Sequence, residues 1–175
     1  MKRRRVLLAI VAVAVVAALA AGAIAIGSRG GSGKSSQPTD DPVAFLRGVV
    51  AQIVRNDYAD AWLTLHPAQQ RVVSQRDYVR CELQTKIIGH LDSLTLVRAF
   101  DDSVLVAGGG MRPVKSKVAT FRLRLSEPGV GVITFTHSVH AIAVGGHWKW
   151  ILTPHRYELY RLGGCSQAPP PGSPS

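Results

Sequence analysis

The sequence is poor in three things: cysteine, acid near its start, and aromatic side chains. Among 175 residues there are two cysteines, Cys81 and Cys165. No histidine flanks either of them at chelating spacing, which argues against a two-cysteine metal site. A reactive thiol would need a depressed pKa that nothing in the sequence signals. No Asp or Glu precedes Asp40, whereas six of the 21 Lys and Arg residues do. The formal charge of +10 is therefore misleading. From Asp40 onward, 15 basic face 11 acidic residues, a surplus of four that is ordinary for a small domain. Nucleic-acid binding by electrostatics has little support.

The missing charge is most telling in residues 6–27, "VLLAIVAVAVVAALAAGAIAIG", which follow the basic segment 1–5, "MKRRR". A helix of this length spans about 33 Å, enough for the hydrocarbon core of a bilayer, with every amide satisfied internally. Basic residues on its N-terminal side predict a cytoplasmic start and an external remainder. The expectation is a single-pass membrane anchor. A cleaved signal peptide, leaving a secreted protein, is the alternative, because Ala18-Leu19-Ala20 and Ala23-Ile24-Ala25 fit a cleavage pattern. No cysteine follows the apolar run, so a lipoprotein anchor is excluded. Outside the reducing cytosol, two cysteines most economically form one disulfide, Cys81–Cys165.

Residues 28–41, "SRGGSGKSSQPTDD", read as a flexible linker. The fragment "SRGGSGKS" misses the phosphate-loop pattern: Ser28 stands where glycine is required, and no strand precedes it. The domain is expected over 42–165, with a disordered Pro-rich tail at 166–175.

The fold class expected is α+β, with three short helices packed on a bent antiparallel sheet of about four strands. Asp41 caps a first helix with Pro42 at its first position and apolar residues at Leu46, Val49, Val50 and Ile53. "DYADAWLTLHP" is a second helix, stopped by Pro67. Ser74 and Asp77 open a third, which carries Cys81 near its end. Strand patterns follow Gly89. "DSLTLVRAF" is the first, with Asp101-Asp102 as its turn, and "KVATFRLRL" alternates. "VITFTHSVHAIAV" and "HWKWILT" are joined by Gly145-Gly146, a hairpin signal. That turn pairs Val144 with His147, Ala143 with Trp148, Ala141 with Trp150 and Val139 with Leu152. On the same face His137, Phe135 and Ile133 are set beside Phe121, Leu123 and Leu125. The opposite face carries Ser138, His140, His147, Lys149 and Thr153, with Ile142, Val144 and Ile151 as a candidate exposed apolar patch.

"YADAWLTLHPAQQ", "YVRCE", "HSVHAIAVGGHWKWILTP" and "YELYRLGGC", within a pattern that runs from residue 42 to about 162, resemble the NTF2-like (cystatin-like, α+β cone) superfamily. More narrowly, they resemble a set of uncharacterised single-span extracytoplasmic proteins of high-GC Gram-positive (actinobacterial) bacteria. The resemblance implies helices closing over a concave sheet to form a pocket. It also implies a range of uses: small-molecule isomerases and dehydratases as well as binding and assembly modules.

Ligand-pocket candidates are His137, Tyr78, Trp62, Phe121 and Trp150. His137 has a pKa suited to general base work, but a core histidine bonded to backbone or to Tyr78 is the plainer reading. Asp92 is the one acid in the early strand region. His137 and His140 point to opposite faces, so no metal pair is expected. The tryptophans suit burial. No catalytic residue, metal or cofactor is assigned. The leading expectation is a non-enzymatic cell-envelope module binding a protein or a small apolar ligand, with a homodimer possible. An isomerase- or dehydratase-like enzyme using a pocket histidine, or a passive protein with a filled core, are the alternatives.

Overall fold

The computed structural model describes residues 38–165. The basic segment 1–5, the apolar run 6–27, most of the linker 28–41 and the tail 166–175 lie outside the described residues. No helix among the described residues is long and apolar enough to cross a membrane.

Helix α1 (Pro42–Val54) starts as its sequence dictates: the Asp41 carboxylate accepts hydrogen bonds from Val43 N at 2.9 Å and Ala44 N at 3.3 Å. Its buried stripe is Leu46, Val49, Val50 and Val54. Asn56 then turns the chain at φ 62°, a conformation asparagine tolerates. Its side chain clamps three groups. Asn56 Nδ2 donates to Ile87 O, while Asn56 Oδ1 accepts from Ile87 N and from Tyr58 Oη.

Two elements exceed the three helices expected. Pro67, expected to stop α2 (Tyr58–Leu63), also opens the four-residue α3 (Pro67–Gln70) behind a His66 cap. After α4 (Gln75–Gln84), with its Ser74 cap, the chain enters the sheet. It leaves the sheet into α5 (Pro154–Arg161), capped by Thr153 with Pro154 at the first position.

Strands β1 (His90–Val104), β2 (Val114–Glu127), β3 (Gly131–Val144) and β4 (His147–Trp150) form one antiparallel sheet in that order. Gly145 and Gly146 have φ of 58° and 79°, as a primed turn requires. The register follows: Ala141 opposite Trp150, Ala143 opposite Trp148, Val144 opposite His147. Phe121 pairs with His137, Leu123 with Phe135 and Leu125 with Ile133.

Three strand expectations are corrected. Asp101 and Asp102 are not a turn; β1 runs through them, and Asp101 forms an ion pair with Lys117 across the ladder. Val139 and Leu152 do not pair, because β4 ends at Trp150. The far edge of β4 is taken by Leu65, with Trp150 N donating to Thr64 O and His66 N donating to Trp150 O. Leu152 N then donates to Gln69 Oε1 at 2.8 Å. Finally, Ile142 and Ile151 are not exposed. The segment after β1 folds back, and Val106 packs with them as a small second core that Val104 and Val144 flank. Further along this segment Gly108, at φ 77°, lies against Tyr157, where a Cβ would come 2.7 Å from Tyr157 Oη.

The main core lies between the helices and the inner sheet face, which presents Ala119, Phe121, Leu123 and Leu125. All three indole N–H groups find backbone carbonyls: Trp62 at Val73, Trp148 at Asp40 and Trp150 at Ala61.

Candidate functional site

The Cys81–Cys165 bond joins α4 to the exit of α5, with Cα atoms 4.6 Å apart. Beside it lies a cluster that sequence reasoning missed. The Glu82 carboxylate accepts from Arg156 Nη2 at 2.6 Å, from Arg156 Nε at 3.0 Å and from Tyr160 Oη. Arg156 Nη1 also donates to Cys165 O. Burial works against the Arg156 charge, but the Glu82 hydrogen bond and charge outweigh it and raise the pKa above the ordinary guanidinium value. Burial and then Glu82 push the Tyr160 phenol well above its ordinary range. Tyr78 is shifted the same way, mainly by burial, and its ring packs between Tyr58 and Tyr160. A sequence separation of 74 between Glu82 and Arg156 explains why no local pattern announced the pair.

A cavity of about 420 Å³ opens next to this cluster. It brings together His137, Tyr78 and Trp150 of the expected site residues, with Glu82 and Arg156. Phe121 and Trp62 lie elsewhere. Phe121 is sealed in the core, with the Arg47 guanidinium 5.5 Å over its ring, and Trp62 packs at the edge of the helical layer. The cavity takes in the consecutive residues His137, Ser138, Val139 and His140. Successive strand side chains alternate between faces, so the cavity wraps around the edge of β3.

His137 is exposed rather than a core residue bonded to Tyr78. It nevertheless stands among enough protein that lost hydration pushes its pKa down. No charged group is among the causes of that shift. Asp92 lies elsewhere, accepting from Ser126 Oγ at 2.6 Å with Arg124 at 3.7 Å. Glu82, which does line the cavity, is engaged by Arg156 and Tyr160. A base at His137 would have neither a carboxylate to orient it nor one to raise its basicity.

On the outer face Ser116 Oγ lies 3.3 Å from His140 Nδ1, and Asp102 is the β1 partner of Ser116. The order across the sheet is acid, hydroxyl, imidazole. A hydroxyl nucleophile needs the imidazole between it and the acid, and Ser116 is moreover buried. A wider cavity of about 970 Å³ mixes Asp101 and Asp102 with Arg112, Lys115 and Lys117, so its rim has no single sign of charge. No group of three metal-ligating side chains occurs among the described residues.

The histidines set a pH dependence. His66, His137 and His140 all have pKa values lowered chiefly by burial; Arg71 and Lys149 add to this at His66, and Asp102 opposes it at His140. The unfolded chain therefore binds more protons than the folded one below an ordinary histidine pKa of about 6.5. Stability is full above that value and falls as pH drops toward the lowered folded values. The urea midpoint is expected to be lower at pH 5.5 than at pH 7.5. His66→Asn, which keeps a cap acceptor where His66 Nδ1 receives Ala68 N, should shrink the difference. An unchanged midpoint across this range would contradict the assignment.

The helical layer does not cover the whole inner face. Leu123 and Leu125 on β2 are buried, whereas their β3 partners Phe135 and Ile133 are 40% and 37% exposed. From Gly131 to Val139, β3 has no partner strand on its far side among the described residues. No family model matches the chain, and no curated protein matches it.

Proposed function

We propose that this chain is a non-enzymatic binding module of the cell envelope, anchored by residues 6–27 and presenting an external NTF2-like domain, with protein as its ligand. The observation that carries the reading is the abrupt end of the helical cover over β3, where Ile133 and Phe135 continue the core face but remain exposed. Large apolar side chains left open beside an unpaired strand edge suit a polypeptide, which satisfies backbone groups and apolar surface together.

The enzyme reading has less support. The cavity beside His137 holds one carboxylate, and its hydrogen bonds go to Arg156 and Tyr160. The filled-core alternative is favoured by the burial of Phe121 and by the satisfied indoles, but it leaves Ile133 and Phe135 without a role.

Native mass spectrometry of the full-length chain, released from detergent micelles, tests the proposal. The expected spectrum shows the disulfide-bonded chain in non-covalent complex with polypeptide and free of small molecules. A stoichiometric small molecule, lost on His137→Leu, would overturn it in favour of a pocket.

A further inference from the structure

The sheet has two edges, and they are protected differently. β1 carries Asp92, Arg98, Asp101 and Asp102 and is interrupted by bulges at Leu91/Ser93 and Leu96/Arg98. Charges and bulges are the usual devices that keep a strand edge from pairing with another chain. The open stretch of β3, "GVITFTHSV" from Gly131 to Val139, has no Lys, Arg, Asp, Glu or Pro and no bulge against β2.

From this contrast we infer that the open edge of β3 pairs with the same edge of a second copy of this chain, antiparallel about a two-fold axis at Phe135. The inference rests on the binding-module reading and names its partner. Between Gly131, at φ 100°, and the buried Val139 lie seven exposed residues, Val132 to Ser138, with Phe135 at their midpoint, so a pairing centred there uses the exposed edge of both copies. β4 pairs with Ala141 to Val144 of β3 and sets the upper limit.

The sequence of the edge suits pairing with itself. Centred on Phe135, the ladder sets Phe135 against Phe135, Thr134 against Thr136, Ile133 against His137 and Val132 against Ser138. Aromatic pairs and threonine pairs are favourable cross-strand neighbours, and no like-charged residues meet. The same operation on β1, about Val97, would set Asp92 against Asp102, and like charges directly opposite destabilise a ladder. A two-fold pairing also closes on itself, so it yields a dimer rather than a fibre. In that dimer the inner faces lie side by side, and the exposed Ile133 and Phe135 of each copy cover those of the other.

Cysteine cross-linking of the full-length chain in its membrane tests the register. Cys81 and Cys165 are bonded to each other, so an introduced cysteine is the free thiol of the domain. Differently tagged chains carrying Thr134→Cys and Thr136→Cys should form the mixed disulfide several-fold more than either self-pair. Adding Phe135→Lys to both chains should abolish it while the native disulfide reports intact folding. Equal yields for all three pairs would mean random collision and overturn the inference. An adduct with a different protein would overturn the second copy as partner but leave the binding-module reading standing. Thiols that react with maleimide yet form no adduct would overturn both.

Discussion

Replacing Cys81 by serine should lower the melting temperature by roughly 10 to 20 °C, corresponding to about 3 to 5 kcal/mol. The bridge spans a sequence separation of 84, and the denatured chain regains that loop's freedom once the bond is gone. The loss has a structural side too. Cys165 O accepts from Arg156 Nη1, so the bond fixes the last turn against the buried ion pair as well as against α4. Cys165→Ser should cost the same, and the double variant no more than either single, because one bond is removed in all three. Reductant should bring the wild type to the variants' melting temperature and leave the variants unchanged. Equal melting temperatures for wild type and Cys81→Ser would contradict the account.

The second large effect belongs to Glu82. Glu82→Ala removes the acceptor of Arg156 and Tyr160 together and strands a half-buried guanidinium, for about 2 to 4 kcal/mol. The side chains of Arg156 and Glu82 are only 23% and 15% exposed, which shields the pair from salt. The loss should therefore persist at high ionic strength, unlike any loss at the exposed pairs Arg55–Asp57 and Arg161–Glu158. Glu82→Leu combined with Arg156→Met should recover part of it, since no charge is then left unpaired. Urea denaturation of the wild type, Glu82→Leu, Arg156→Met and the double variant gives the coupling directly. Additive effects would show that the two residues act independently.

These two predictions mark the boundary of what is legible in the sequence. The Cys81–Cys165 pairing was legible because the chain has two cysteines and therefore one possible internal disulfide. Glu82 was not, because its partners lie 74 and 78 residues away and share no spacing with it. The β3–β4 hairpin was readable from its two glycines, and the inner face of β2 from strict alternation. The α5 helix was missed although Thr153-Pro154 carries an N-terminal signal: with eight residues and a weak apolar period, "PHRYELYR" gives little else. The apolar patch of Ile142 and Ile151 was misjudged because its cover, Val106, comes from a glycine-rich segment that reads as an exposed loop. Of the site candidates, His137, Tyr78 and Trp150 converge because the hairpin register and the disulfide place them at one corner. Phe121 does pair with His137 in the ladder, but its side chain is sealed in the core, and Trp62 packs against the same core.

Amide hydrogen exchange along β3 tests the central claim most directly. In the full-length chain, the amides of residues 131–139 that point away from β2 should exchange slowly, and Phe135→Lys should make them fast. Amides pointing toward β2 should be protected in both, which serves as the internal control. Fast exchange at the outward amides of the unsubstituted chain would mean that nothing occupies this edge, and the binding surface would have to be sought elsewhere.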